Sequence, residues 1–363
     1  MKDLPLLLAV LRQPQRLAAL APADWDLLLR QAVAARLAFT LYLLASEHGL
    51  LDAVPARPRA HLEWAAVSGR RHHQAAQFEA RQIADALART GIPLILLKGS
   101  AYLMAGLPAS RGRLFSDIDI LVPQSRLDEV EAALMLAGWK VTSLDAYDQR
   151  YYRTWMHELP PMQHMQRGNT IDVHHAILPL TARVRPDPEK LRAAAVALPG
   201  HPGWHMLAPV DMVLHSATHL FHDGEFDKGL RDLFDIHRLL QHFGAVPGFW
   251  DTLPARACEL QLARPLFYAL RYSGRLFGTA VPPQVVAAAG RGRPNPVLLR
   301  LMDALFERAL QPDHESCADR FTACARFALY VRGNWLRMPP LMLAQHLFHK
   351  AFISPRSPGT QGR

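Results

Sequence analysis

Between Leu94 and Val122 the chain passes through an apolar strand, a Lys98-Gly99-Ser100 turn, a short helical segment and a second strand, Asp117-Ile118-Asp119-Ile120-Leu121-Val122. Side chains alternate across a pleat with a period of two, so Asp117 and Asp119 share one face of that second strand. Two charges in an otherwise apolar strand need cations or hydrogen bonds to meet them. The arrangement predicts a small α/β core with a divalent-metal site on one sheet face. The turn ahead of the helix offers backbone N–H groups, the Ser100 hydroxyl and the positive end of the helix dipole to a polyphosphate. Together the two motifs describe a site for a metal-bound nucleotide, and carboxylate oxygens suit Mg²⁺ or Mn²⁺.

A third carboxylate is sought in Gly168-Asn169-Thr170-Ile171-Asp172-Val173-His174-His175, a β-prone run after a Gly-Asn turn signal. Alternation places Thr170, Asp172 and His174 on one face, so Asp172 joins the pair if the two strands are neighbours. His174 and His175 read as packing or hydrogen-bonding residues, because a hard cation prefers oxygen.

Two later segments read as helices from their apolar spacing, one around His215 and His219 and one from Lys228 through Arg231, Asp232 and Asp235. The two histidines lie one turn apart, but Ser216 stands where zinc peptidases carry Glu, so a helix-packing or phosphate-contacting pair is the better reading. Lys228 with Asp232, and Arg231 with Asp235, have the i,i+4 spacing of ion pairs on a solvated helix face.

These residues resemble the nucleotidyltransferase superfamily of polymerase-β-like fold, most closely its uncharacterised bacterial branch. They are more distantly similar to the toxin nucleotidyltransferases of abortive-infection and toxin–antitoxin systems. The superfamily pattern of a Gly-Ser turn, a helix, Asp-x-Asp and a later Asp is met by Gly99, Ser100, Asp117, Asp119 and Asp172. Lys98 before the glycine and Arg113 before the carboxylates match features of that branch. The resemblance implies Mg²⁺-dependent transfer of a nucleoside monophosphate from an NTP, with Asp117, Asp119 and Asp172 binding two metal ions and Lys98, Gly99, Ser100 and Arg113 binding nucleotide. By analogy with the toxin enzymes, Lys228 and Arg231 would contact phosphates and Asp232 would orient or deprotonate the acceptor.

The implied fold is α+β, a polymerase-β-like core with a mixed sheet flanked by helical regions. Helices are expected over 1–89, the catalytic core over 90–180, a Pro-rich linker over 181–208, a helical region over 209–353 and a disordered tail over 354–363. No uninterrupted apolar run has the length of a membrane span, and the start lacks a signal-peptide layout. Three scattered cysteines, Cys258, Cys317 and Cys324, point to a reducing, cytoplasmic setting rather than a disulfide framework.

A net charge of +9, spread over many arginines, suits a polyanionic partner such as RNA or tRNA. A protein hydroxyl or a small molecule remains open as acceptor. The competing readings are a catalytically silent nucleotide-binding protein and a membrane-surface accessory protein. The second rests on the basic, aromatic stretch from Phe327 to Phe352, which suits weak contact with anionic lipid.

Overall fold

The computed structural model describes residues 4–142, 145–339 and 342–344. Helices α1 (Leu6–Arg12), α2 (Pro22–Ala34), α3 (Ala38–Glu47) and α4 (Ala56–Leu87) come first. Pro55 caps α4 and Pro58 falls in its first turn, where a missing N–H costs no helical hydrogen bond. The middle of the chain forms β1 (Leu94–Leu96), α5 (Lys98–Met104), β2 (Asp117–Leu121), α6 (Leu127–Leu136), β3 (Trp139–Val141) and α7 (Ala146–Trp155). It continues through β4 (Met162–His164), β5 (Thr170–His174), α8 (Pro188–Ala193), β6 (Val196–Ala197) and β7 (Trp204–Met206). Helices α9 (Pro209–His222), α10 (Gly229–Gly244), α11 (Phe249–Glu259) and α12 (Ala263–Phe277) follow. The last are α13 (Pro283–Ala289), α14 (Pro296–Ala309) and α15 (Thr322–Arg337). The architecture is α+β, a mixed sheet flanked by helices, as the motifs predict.

The described residues build a seven-stranded sheet in the order β3-β4-β5-β2-β1-β7-β6. β1 runs antiparallel to β2, and β2 runs parallel to β5 with Asp119 opposite Asp172 and Asp117 opposite Thr170. The expected linker over 181–208 is corrected here, since it carries α8, β6 and β7, and β7 pairs parallel with β1. Two- and three-residue strands leave no periodic signal. Pro188 inside that stretch and Pro209 just after it each start a helix. The tail expected over 354–363 lies outside the described residues.

The C-terminal helices close around a ring cluster in which Phe221 of α9 meets Tyr268 and Tyr272 of α12 and Phe306 of α14, with centroids 5.2–5.8 Å apart. Two polar links fasten these helices to the sheet side. Tyr102 of α5 and Ser216 of α9 share a hydrogen bond of 2.5 Å, and Arg238 of α10 donates to the carbonyls of Pro108 and Arg111. Among the described residues no helix is long and apolar enough to cross a membrane, and Cys258, Cys317 and Cys324 are free thiols.

Asp211 of α9 has no exposed surface and accepts from Arg256 Nε and Nη2 of α11, each at 2.8 Å. Arg256→Ala strands that carboxylate in the interior and is expected to cost about 3 kcal/mol of unfolding free energy. Urea denaturation measures the loss. Adding Asp211→Asn should restore part of it, because the uncompensated charge is gone.

Candidate active site

The parallel register of β2 and β5 gathers the three predicted carboxylates on one face, around the Asp119–Asp172 pair. Asp119 is buried, and its Oδ1 accepts from Lys98 Nζ at 2.9 Å and from His174 Nε2 at 3.0 Å. Its Oδ2 has no hydrogen bond among the described residues. Burial alone would raise the Asp119 carboxyl, but the Lys98 ammonium and the His174 hydrogen bond hold it well below the usual carboxylate range. Asp172 has no such support. Its Oδ1 is buried without a hydrogen-bond partner among the described residues. Burial, with the charges of Asp119 and Glu158, pushes its carboxyl up to about 7. Asp117, at the half-buried start of β2, accepts from Ser116 Oγ at 3.0 Å.

Lys98, Gly99 and Ser100 form the first turn of α5 rather than a turn ahead of it. Lys98 takes a φ of 46°, in the left-handed region that a non-glycine residue enters at a cost of about 1–3 kcal/mol. The Ser100 hydroxyl donates to the Leu97 carbonyl at 2.8 Å and is buried, so in this structure it fastens the strand-to-helix junction. Gly99 makes room for Arg113. A Cβ there would lie 2.7 Å from Arg113 Nε and 2.9 Å from the Phe115 ring. Gly99→Ala is therefore expected to displace Arg113 and to lower stability by about 1–3 kcal/mol. Thermal unfolding reads the stability, and equilibrium binding of a non-hydrolysable NTP analogue reads the effect on the site.

Helices α9 and α10 wall the site on the other side. The anticipated i,i+4 pairs of α10 do not form, and the solvated face is instead buried. Arg231 folds onto its neighbour Asp232, with Nε and Nη2 at 3.0 and 2.6 Å from Oδ1. Asp235 pairs with Arg113, which also approaches Asp232 at 3.7 Å. The loop before β2 delivers Arg113 to this face, and a guanidinium held there by Tyr102, Gly99 and Phe115 outcompetes the pairing along the helix. Burial raises the Asp232 carboxyl, but Arg231 and Arg113 lower it further, so it stays anionic. Lys228 has no ion pair among the described residues; burial and Arg231 depress its ammonium pKa, and Asp117 and Asp232 act on it in the opposite sense.

His215 is buried, and burial followed by the nearby Lys98 charge keeps its ring neutral. His219 lies in the fields of Lys98, Asp232 and Asp119, and desolvation again lowers its pKa. Among the described residues the two do not join a cluster of three metal-ligating side chains. The sequence reading missed Glu158 and His157, which arrive from an irregular segment, and Asp235 as a partner of Arg113. The only signal for the first two is the adjacent His-Glu before Leu159-Pro160-Pro161, which has no periodicity to place it.

Comparison with known proteins bears on the same residues. The model of a family described as "Uncharacterised nucleotidyltransferase" matches residues 21–278 of the 363. No curated protein and no solved structure matches the chain. The match runs from α2 to the end of α12, so it takes in the whole sheet, the three carboxylates and both helices that wall them. A match over more than half of the chain shows that the chain belongs to this family of uncharacterised nucleotidyltransferases.

Proposed function

We propose that the protein transfers a nucleoside monophosphate from an NTP to a hydroxyl acceptor, releasing pyrophosphate, with Mg²⁺ or Mn²⁺ held by Asp117, Asp119 and Asp172. The observation that carries this reading is Asp172, whose buried, unpartnered oxygen sits beside a second carboxylate. Clustered carboxylates repel one another, and of the facing pair Asp119 and Asp172 it is Asp119 that the Lys98 ammonium and the His174 N–H meet among the described residues. An all-oxygen donor set with one orphaned oxygen on Asp172 and one unbonded oxygen on Asp119 fits a hard divalent cation. Such a cation, when bound, supplies Lewis-acid charge at the transferring phosphoryl group.

The residues of the chain do the rest. Lys98, Lys228 and Arg231 bring positive charge to the triphosphate, and Arg113 anchors α10 through Asp235 and Asp232. Asp232 positions this basic wall, since two guanidiniums hold it anionic and make it a poor proton acceptor. Ser100 and Gly99 keep α5 close under β2, so the nucleotide meets a rigid edge. In the transfer, the acceptor oxygen bonds to the α-phosphorus as the bond to pyrophosphate breaks, and the acceptor's proton passes to solvent.

Charge, together with the likeness to the toxin enzymes, favours RNA, above all a tRNA end, as acceptor; a protein hydroxyl or a small molecule is the alternative. The test supplies purified protein with Mg²⁺ and each α-labelled NTP. Total tRNA, extract protein or small metabolites serve as acceptor, beside an Asp117→Asn/Asp119→Asn control. Label that enters one pool and is absent from the control supports the reading and names the acceptor class. Nucleotide binding without label in any pool favours a catalytically silent nucleotide-binding protein. Retention on anionic vesicles without nucleotide binding favours the membrane-surface reading.

A further inference from the structure

Residues 157–159 are tied to the end of β5 by backbone hydrogen bonds, Leu159 N to the Val173 carbonyl at 2.9 Å and His175 N to the His157 carbonyl at 2.8 Å. Glu158 and His174 face one another across this bridge. One ligand atom from each of His157, Glu158 and His174 lies within 4.8 Å of the other two. His174 is 2% exposed, and a carboxylate can only accept, so its Nε2–H donates to Asp119 Oδ1. That bond leaves Nδ1 directed at Glu158, 3.3 Å from Oε2, yet outside hydrogen-bond geometry. A nitrogen lone pair and a carboxylate oxygen so close need a positive charge between them, either a proton on Nδ1 or a metal ion. The second histidine, His157, adds another nitrogen donor at the same place. Its Nδ1 is also buried without a hydrogen-bond partner among the described residues, and its ring centroid is 5.2 Å from that of His174.

We propose that His157, Glu158 and His174 bind a borderline divalent transition metal, best matched by Zn²⁺, at a site chemically distinct from the carboxylate cluster. Two imidazole nitrogens and one carboxylate oxygen suit zinc, whereas Mg²⁺ prefers oxygen alone. Tetrahedral coordination sets ligand atoms about 3.3 Å apart, the separation His174 and Glu158 already have. Asp119 orients His174 from behind in the carboxylate–histidine–metal arrangement that fixes ring tautomer and raises ligand basicity. The ion fastens residues 157–159 to β5 and holds His174 against the carboxylate that Lys98 also holds. A fourth position remains for water or substrate.

The test uses the full chain, stripped of metal and titrated with Co²⁺ in excess Mg²⁺. The visible ligand-field absorption of Co²⁺ and elemental analysis give geometry and stoichiometry. One equivalent of Co²⁺ with a four-coordinate spectrum, displaced by Zn²⁺, is expected. His157→Ala and the near-isosteric Glu158→Gln should each weaken binding about tenfold or more. Asp117→Asn should leave it within about twofold, because Asp117 belongs to the other cluster. Thermal unfolding of each variant separates loss of the site from loss of fold. Absence of stoichiometric Co²⁺ in the folded wild type overturns the proposal. So does affinity unchanged in folded Glu158→Gln, or abolished in Asp117→Asn. Since the readout is metal binding, its outcome is independent of whether nucleotidyl transfer is found.

Discussion

Asp117→Asn is expected to lower nucleotidyl transfer about a thousandfold or more while leaving the thermal midpoint within a few degrees of wild type. Groups that only orient a metal ligand typically cost about 10- to 100-fold when lost, so loss of a direct ligand should exceed that. The fold should tolerate the change. Asp117 is half-buried at the start of β2, its carboxylate accepts from adjacent Ser116 Oγ, and Asn can still accept that bond. Turnover under saturating NTP, compared with wild type at several Mg²⁺ concentrations, measures the effect. Unchanged turnover in the folded variant would remove Asp117 from the metal site.

Asp172→Asn should do two opposite things, and the pair is more telling than either alone. Transfer should fall about a hundredfold or more, as for loss of any direct ligand. In the absence of divalent cation, however, the variant should be more stable than wild type at pH 8. The Asp172 carboxyl titrates near 7 in the folded chain against 3.8 as its ordinary value. The folded state therefore holds the proton more tightly than the unfolded chain. Stability from this group is full below 3.8, declines as pH rises and is gone above about 7.

At pH 8 the ionised carboxylate costs on the order of 2–4 kcal/mol, a figure reduced from the full shift because the side chain is part-exposed. Asn removes that cost, so the cation-free midpoint should rise by about 3–5 °C. At pH 5, where the folded wild type is protonated, the gap should narrow. Added Mg²⁺ or Mn²⁺ should raise the wild-type midpoint and not that of the variant. If Asp172→Asn were instead less stable at pH 8 without cation, the carboxylate would be serving the protein's own hydrogen bonds.

The core strands were legible because their chemistry is local. Asp-Ile-Asp-Ile-Leu-Val alternates with the pleat, and the carboxylates stand out against apolar neighbours whatever surrounds them. Helix α10 was legible as a helix but not as a wall. Its charges have the spacing of solvated pairs, yet Arg231 and Asp235 are each only 5% exposed, and Arg113 from the sheet side takes the place expected for Arg231. The region over 181–208 misled for a related reason. Its strands are too short to show a period, and they exist because β1 offers an edge for β7 to pair with.

Which side chains share a strand face, where the paired carboxylates lie and which segments are amphipathic can all be read from the residues alone, since each follows from a repeat of two or 3.6 residues. Tertiary structure alone decided that β2 and β5 pair in parallel with Asp119 opposite Asp172, so that a carboxylate 53 positions away becomes a neighbour. It also decided that Lys98 and His174 both serve Asp119 and leave Asp172 without a cation. It brought His157 and Glu158 from an irregular segment to the back of the same histidine. Such contacts depend on strand order and register, which are fixed by burying the whole sheet at once and leave no periodic mark on any one segment.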